Sequence, residues 1–271
     1  MASILSSPLM TTQTDQPAPP VKVLFEGRYR KLTRDLPQTK FFCPECKGGG
    51  CDRCEGFGKL TRDSVQELIG WVAMPRLKAR RNKFHGAGRE DMDVRMLGRG
   101  RLFVFEAFKC KRPMIDLEEL AGEINRRNEG RLEISDLCFC DRKRVVEIKE
   151  TKCSKEYGAL IQVIGEHDVA KLEACLQELT NRGRIEVVQR TPQRVAHRRA
   201  DLERIRWIEI TGFERVGDNW LLAIQSEHGT YIKEAISGDD GRSNPSIGAL
   251  LGVECKCVEL DVNEIMDPEV A

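Results

Sequence analysis

The sequence predicts an α+β fold built on a mixed, largely antiparallel central sheet with flanking helices. Strand-like segments lie next to other strand-like segments as often as next to helical ones, without the regular β–α–β alternation of parallel sheets. The 271 residues are enough to bury a large core in one main domain. The sequence shows no internal repeat of the periods that build solenoids.

Three segments have the pattern of helices. Ser64 followed by Glu67 three residues later has the form of a capping box, which marks a helix start. The apolar stripe behind it predicts a helix that ends near Pro75. Two further helices are predicted over residues 117–127 and 167–179.

Strands are predicted where β-branched and aromatic residues cluster between turn-forming residues. These segments are 21–25, 102–108, 131–137, 145–148, 159–164, 184–188, 205–211, 220–225 and 254–260.

The chain divides into four predicted parts. Residues 1–20 are rich in Ser, Thr, Pro and Gln and lack Lys and Arg, which predicts a disordered leader rather than a secretory signal. Residues 21–62 form an N-terminal segment that contains a cysteine cluster, residues 63–265 form the main domain, and residues 266–271 form a tail.

Net charge gives no indication of a partner, whereas the distribution of charge does. The formal charge is +1, and the sequence has no apolar run of membrane-spanning length, so we expect no membrane partner. Basic residues concentrate in segments 76–83 and 190–206, the second of which has six arginines against two acids. A charge run is usually a solvated face, but these two would suit RNA phosphates. Their candidate RNA-binding residues are Arg80, Arg81, Arg190, Arg194, Arg198 and Arg199.

Four of the eleven cysteines lie within twelve residues. Cys43, Cys46, Cys51 and Cys54 form two CxxC pairs separated by a glycine-rich turn. This spacing is typical of a structural zinc knuckle in a reducing compartment such as the cytoplasm, although an iron–sulfur site has similar ligands. A closed four-cysteine site has no open position for substrate, so we expect it to brace the fold or touch RNA.

A glycine-punctuated loop at residues 85–98 holds three acids and two arginines. By composition alone it could be a solvated surface loop. Residues 88–98, GREDMDVRMLG, resemble the catalytic loop of pseudouridine synthases, in which a single aspartate is essential. That aspartate falls on Asp91, and Asp93 is the second choice.

The chain is more closely similar, from about Gly27 to the end, to the archaeal and eukaryotic family that modifies the T-arm loop of tRNA (the Pus-ten family). The matching pieces are residues 28–32, 36–39, 189–192, 197–201, 229–234, 241–242, 245–246 and 250–252. The resemblance implies the pseudouridine synthase fold, makes residues 63–265 the catalytic domain, and implies a tRNA substrate modified at position 54, 55 or both.

The resemblance also implies roles for individual residues. Tyr157 would stack on the target base, Lys233 would pair with the catalytic aspartate, and Tyr231, Ile232 and Leu260 would line the substrate pocket. Burial disfavours the charged form of a carboxylate, and a nearby cation opposes that effect, so Lys233 is expected beside Asp91 with Arg89 as a second cation.

The reaction would break the C1′–N1 bond of uridine, turn the base and join C1′ to C5, which needs no organic cofactor. The residues do not choose between attack on C1′ and removal of a ribose proton. Family members usually begin with an RNA-binding domain that this sequence does not resemble, so a separate RNA-binding partner could supply it. A non-catalytic tRNA-binding protein and a zinc-knuckle interaction module are the alternatives.

Overall fold

A computed structural model describes residues 21–197 and 199–266. The predicted leader at residues 1–20, most of the predicted tail and Arg198 lie outside these described residues. Among the described helices, none is long and apolar enough to cross a membrane.

Seven α-helices, one short 3-10 helix (Asp52–Cys54) and ten strands lie within the described ranges. The helices are α1 (Val65–Leu77), α2 (Leu117–Arg127), α3 (Arg142–Glu150), α4 (Val169–Arg182), α5 (Gln193–Ala196), α6 (Ile232–Ser237) and α7 (Ile247–Leu251). The strands are β1 (Val21–Lys31), β2 (Arg81–Gly86), β3 (Val94–Cys110), β4 (Leu132–Phe139), β5 (Lys155–Ile164), β6 (Ile185–Arg190), β7 (Glu203–Val216), β8 (Asn219–Ser226), β9 (Ser243–Asn244) and β10 (Glu254–Ile265).

The described strands form one mixed sheet in the order β4-β1-β3-β10-β5-β8-β7-β6-β9, and β2 pairs with β3 beside this path. Their pairings are antiparallel except between β3 and β10, which run parallel with Val94 opposite Leu260. The predicted α+β class with a mixed, largely antiparallel sheet is confirmed. β1, which belongs to the predicted N-terminal segment, shares this sheet with the predicted main domain.

The core beneath β1, β2 and β3 is aromatic. Phe25 stacks on Phe105 with ring centroids 5.1 Å apart, and Phe84 stacks on Phe103 at 5.3 Å. Tyr29 packs edge-on against Phe84 and is fully buried. The apolar stripe of α1 covers this cluster, as its capping box and periodicity predict.

The predicted strand at residues 145–148 is wrong, because this segment lies inside α3. Val145 and Ile148 are buried and three residues apart, a spacing that puts both on one side of a helix. A four-residue apolar window cannot distinguish the two structures. The signal that could have decided it is Asp141, whose carboxylate accepts hydrogen bonds from the Lys143 and Arg144 amides at the helix start.

Candidate functional site

A cavity of about 480 Å³ opens where β3, β5 and β10 meet the loop between β2 and β3. Its size is in the range of sites for small ligands. The predicted catalytic and substrate-binding residues that line it are Arg89, Asp91, Tyr157, Tyr231, Ile232, Lys233 and Leu260.

Three neighbouring strands form the apolar floor of the cavity. The parallel register sets Leu260 of β10 beside Val94 of β3, and the next pairing sets Val262 of β10 beside Tyr157 of β5. These four side chains line the cavity and are at most 8% exposed. The register of the sheet therefore brings together a loop and a tyrosine that are 66 positions apart in the sequence.

The backbone of the Asp91 loop is held by a buried lysine. Lys31 is fully buried, and its Nζ donates to the carbonyl oxygens of Leu36, Asp91 and Met92 at 2.9–3.0 Å. Burial lowers the pKa of the Lys31 ammonium to about 8, against the pull of nearby acids that include Glu90.

A buried ion pair anchors the same loop from below. Arg101 Nε donates to Glu90 Oε2 at 2.7 Å, and both side chains are 1% exposed. The Tyr29 hydroxyl donates to Glu90 at 2.8 Å, and Gln38 donates to the Tyr29 oxygen and to the Gly88 carbonyl. Burial and the Glu90 carboxylate hold the pKa of Tyr29 well above its usual value, so the hydroxyl stays a donor.

Gly88 is required at the turn that begins this loop. Its φ is +82°, and a Cβ there would lie 2.9 Å from Arg101 Nη1. The glycine lets the chain turn closely over the buried arginine.

The cation beside Asp91 is Arg194 of α5. Arg194 Nη1 lies 2.8 Å from Asp91 Oδ2, and Arg194 Nε lies 2.5 Å from Glu234 Oε1. Glu234 is 6% exposed, so it holds the guanidinium in a fixed orientation. Burial would lower the pKa of Arg194, but Glu234 and Asp91 outweigh it and raise that pKa above its ordinary value. Arg194, one of the predicted RNA-binding residues, lies in this ion pair and lines the cavity.

The expected pairing of Lys233 with Asp91 is wrong. Lys233 Nζ lies 2.7 Å from Asp93 Oδ2, while Asp91 is taken by Arg194. Burial would raise the pKa of Asp93, but the hydrogen bond and charge of Lys233 outweigh it and lower that pKa. The two cations come from different elements, Lys233 from the first turn of α6 and Arg194 from α5. The fold brings the Arg194 guanidinium to Asp91 and leaves Lys233 beside Asp93.

The aromatic residue beside Lys233 is positioned through its backbone. The buried Gln189 side chain accepts from the Tyr231 amide at 2.9 Å and donates to the Tyr231 carbonyl at 2.9 Å. The Tyr231 hydroxyl accepts from Arg199 Nη1 at 2.8 Å. Arg199, predicted to bind RNA, therefore lies at the rim of the cavity.

Tyr157 and Lys155 lie on the same face of β5, because residues two apart in a strand point the same way. Burial raises the pKa of Tyr157 to about 12, so its ring is neutral at pH 7. Burial and the Arg101 guanidinium lower the pKa of Lys155 to about 8. Lys155 is 8% exposed, and within residues 21–197 and 199–266 no carboxylate lies within ion-pair distance of it.

Three of the predicted RNA-binding arginines, Arg80, Arg81 and Arg190, do not line the cavity. Arg81 sits over the Phe108 ring at 5.3 Å, Arg80 lies beside Trp71 in a shallow surface hollow, and Arg190 pairs with Asp201 at 3.0 Å. Arg198 is outside the described residues.

The four predicted metal ligands converge. The Sγ atoms of Cys43, Cys46, Cys51 and Cys54 lie within 4.8 Å of one another, and three of the pairs are 3.7 Å apart. Four thiolates about 2.3 Å from a tetrahedral zinc lie about 3.8 Å apart, whereas a disulfide needs about 2.05 Å. Amide groups of Gly50, Cys51 and Gly58 donate to two of these sulfurs at 3.2 Å, which suits thiolates. The residues fit a zinc ion, and none of the four lines the cavity.

The sequence alone did not single out Lys31, Glu90, Arg101, Gln38 or Lys155 as parts of the site. Lys31, Gln38 and Glu90 lie within the segments that carry the family resemblance, but only the fold brings them to the Asp91 loop. No local signal marked them, because none of the five lies within a predicted strand and charged residues are usually exposed.

A family model described as "Pus10, C-terminal" matches residues 24–266. The chain belongs to this family. A curated relative, "tRNA pseudouridine synthase Pus10" of Methanothermobacter marburgensis, is 46% identical over 91% of this chain. The protein of the same name from Methanocaldococcus jannaschii is 46% identical over 90% of this chain. The resemblance to the Pus-ten family is thereby confirmed.

The chain spans 60% and 53% of the length of these two Pus10 relatives. Among solved structures, a Cbf5-Nop10-Gar1 complex is similar with a TM-score of 0.42 and 21% identity, over 74% of this chain and 45% of the matched chain.

Proposed function

We propose that this chain isomerises uridine to pseudouridine in the T-arm loop of tRNA, at position 54, 55 or both. Asp91 is the catalytic carboxylate, and the reaction uses no organic cofactor. The observation that carries this proposal is the Asp91–Arg194 ion pair at 2.8 Å in a cavity shared with Tyr157, in a member of the Pus10 C-terminal family.

Arg194 pairs with the Asp91 carboxylate and orients it in the cavity for either chemical route. The carboxylate attacks C1′ or removes a ribose proton as the C1′–N1 bond breaks. The freed base turns while bound, C1′ joins C5, and the proton lost from C5 balances the proton that N1 gains.

Tyr157 holds the detached uracil by stacking, because its neutral ring forms part of the cavity wall. Ile232 and Leu260 supply the apolar sides, and Lys233, paired with Asp93, lines the same cavity as a second cation. Extruding the uridine from a folded loop costs about a few kcal/mol, which contacts to RNA phosphates and 2′-hydroxyls offset. Arg89 and Arg199 line the same cavity and are suited to such contacts.

The four cysteines bind one structural zinc ion, and residues 63–265 together with β1 act as the catalytic domain. The cluster braces the chain that leads to Gln38, which contacts the Asp91 loop. We place the protein in the cytoplasm, where thiolates stay reduced. A separate RNA-binding partner assists where affinity for tRNA is limiting.

The test is incubation of the purified chain with an unmodified tRNA transcript, followed by carbodiimide-dependent primer extension. Asp91→Asn serves as the matched variant, because it keeps the shape of the side chain and removes its charge. We expect pseudouridine in the T-arm loop with the wild-type chain only. Tight tRNA binding without any modified uridine would favour the non-catalytic tRNA-binding protein, and modification by both proteins would move the role to Asp93.

A further inference from the structure

A second cavity, of about 280 Å³, lies next to the first on the open face of β2 and β3. Lys83 of β2 pairs with Glu106 of β3, and Arg81 pairs with Phe108, so these four side chains point to the same face of the sheet. The α3 helix forms the facing wall with Arg142, Val146 and Lys149, which lie at helical spacing.

Positive charge accumulates around one aromatic ring in this cavity. Lys22 Nζ, Arg81 Cζ and Lys83 Nζ lie 5.0, 5.3 and 5.8 Å from the centre of the Phe108 ring. Cation–π attraction holds cations near such a ring but does not cancel their charge.

The carboxylate of this cavity is already engaged. Glu106 is buried and binds Lys22 at 2.9 Å and His85 at 3.0 Å. In the part of the chain that the structure describes, Lys83, Arg142 and Lys149 have no carboxylate within 4.0 Å. Three uncompensated cations therefore line a concave surface, which is the arrangement that binds polyanions.

The second cavity adjoins the candidate active site at Lys149, which lines both. On the catalytic side the next cation is the buried Lys155. A nucleic acid whose uridine enters the first cavity must continue along the protein in both directions from that nucleotide. One such direction leads from Lys155 in the first cavity past Lys149 to Lys83 and Arg142 in the second.

We propose that Lys83, Arg142 and Lys149 bind the sugar–phosphate backbone of the substrate RNA on one side of the nucleotide held beside Asp91. This inference rests on the proposed function, since it takes the first cavity as the uridine site. Cation–π contacts with the Phe108 ring hold Lys22, Arg81 and Lys83 on the same surface as that backbone.

The experiment measures affinity for a full-length tRNA transcript, in the Asp91→Asn background so that no reaction occurs. One variant carries Lys83→Ala, Arg142→Ala and Lys149→Ala. The matched control carries Lys171→Ala, Arg182→Ala and Lys256→Ala, three exposed cations that line neither cavity. In the Asp91→Asn background both change the formal net charge from +2 to −1, so the two variants differ in where positive charge is lost. A third variant, Lys83→Arg, Arg142→Lys and Lys149→Arg, keeps the charges.

We expect the first variant to lose about tenfold or more in affinity at low salt, with the control and the charge-keeping variant close to the parent. The slope of log affinity against log salt should fall by about 2, since each single-strand phosphate contact contributes about 0.7. Equal losses in variant and control, or no loss in either, would overturn the proposal.

Primer extension on the same substitutions with Asp91 restored separates the two proposals. If the chain forms pseudouridine but its affinity for tRNA does not depend on Lys83, Arg142 and Lys149, the proposed RNA-binding surface is rejected and the proposed activity stands. If affinity falls only when those three residues are replaced, and the chain modifies no uridine, the RNA-binding surface stands and the proposed activity is rejected.

Discussion

At the scale of single residues, two cations of the cavity differ in their effect on stability, because burial disfavours the charge of Lys155 whereas two carboxylates favour that of Arg194. Lys155 is a buried cation without a carboxylate partner among the described residues, and Arg194 is divided between Asp91 and Glu234. Residues that lower stability and line a cavity are typical of functional sites, where activity and stability conflict.

Replacing Lys155 by Met should stabilise the chain at pH 7. The pKa of Lys155 falls from 10.5 to about 8 on folding, and a shift of about 2.5 units corresponds to roughly 3 kcal/mol. Because the folded pKa is depressed, the wild-type chain carries this cost below pH 8 and loses it as pH rises from 8 to 10.5.

Denaturant unfolding of Lys155→Met and wild type between pH 7 and 10.5 checks this expectation. The groups that face Lys155 are the Arg101 guanidinium, Cys153 and the His228 imidazole, so Lys171→Met on exposed α4 controls for a general effect of lost charge. A stability gain that does not shrink with rising pH would contradict the assignment of the cost to the Lys155 ammonium.

Replacing Arg194 by Ala should slow the chemical step by roughly tenfold or more, which is at least about 1.4 kcal/mol of barrier. The substitution removes the charge beside Asp91 and leaves Glu234 buried without its guanidinium. Single-turnover rates at saturating tRNA measure this effect, with thermal melting to confirm folding. Arg182→Ala, on the exposed end of α4, is the control, and an unchanged rate in Arg194→Ala would assign the activation of Asp91 to another cation.

At the scale of elements, the cysteine knuckle and α3 illustrate different kinds of local order. α3 begins at an N-cap aspartate, which is a local feature of the sequence. It is held to the sheet by Val145 and Ile148, which pack against Leu24 and Val104. The knuckle has few apolar contacts of its own and depends on its four sulfurs.

Replacing Cys46 by Ser should remove the bound metal and loosen residues 43–54 without unfolding the sheet. Three remaining thiolates hold zinc less tightly than four, and an isolated bridge between Phe42 and Lys59 closes the base of the knuckle, outside the sheet. Metal content by mass spectrometry and thermal melting measure the two effects. Cys175→Ser, a cysteine outside the cluster, should keep about one zinc per chain, and equal zinc in both variants would exclude the site.

At the scale of the whole molecule, the sheet is held together at the parallel pairing of β3 with β10. This seam joins the strands that carry the Asp91 loop to the strands that carry Tyr157. Arg95 and Asp261 pair across it at 2.5 Å, and Gly98 lies beside it in close contact with β10.

Replacing Gly98 by Ala should destabilise the molecule more than replacing Gly130 by Ala. Both glycines have positive φ, so both substitutions carry the backbone cost of about 1–2 kcal/mol. A Cβ on Gly98 would lie 2.1 Å from the Asn263 carbonyl oxygen, whereas a Cβ on Gly130 meets nothing within 4 Å. Denaturant unfolding of the two variants measures the difference in their free energies of unfolding. Equal losses of stability would mean that β3 and β10 can move apart at Gly98 without an energetic penalty.

The sequence by itself determined the class of fold, most of the strands and several of the residues that line the cavity. α1 began and ended close to its predicted bounds, because a capping box and an apolar stripe act locally. Motifs singled out Asp91, Tyr157 and Leu260, which line the cavity, and the CxxC spacing singled out four cysteines that converge, since both patterns are contained in short segments.

Only the tertiary structure decided which charged side chains form ion pairs with each other. Arg194 pairs with Asp91, Lys233 pairs with Asp93, and Glu90 forms a buried ion pair with Arg101, because the register of the sheet and the path of its loops set these distances. Ion pairs form between residues that are far apart in the sequence, and their partners depend on a few ångströms that no local pattern encodes. Burial of Lys31 and Lys155 is decided in the same way, since it depends on what packs above them.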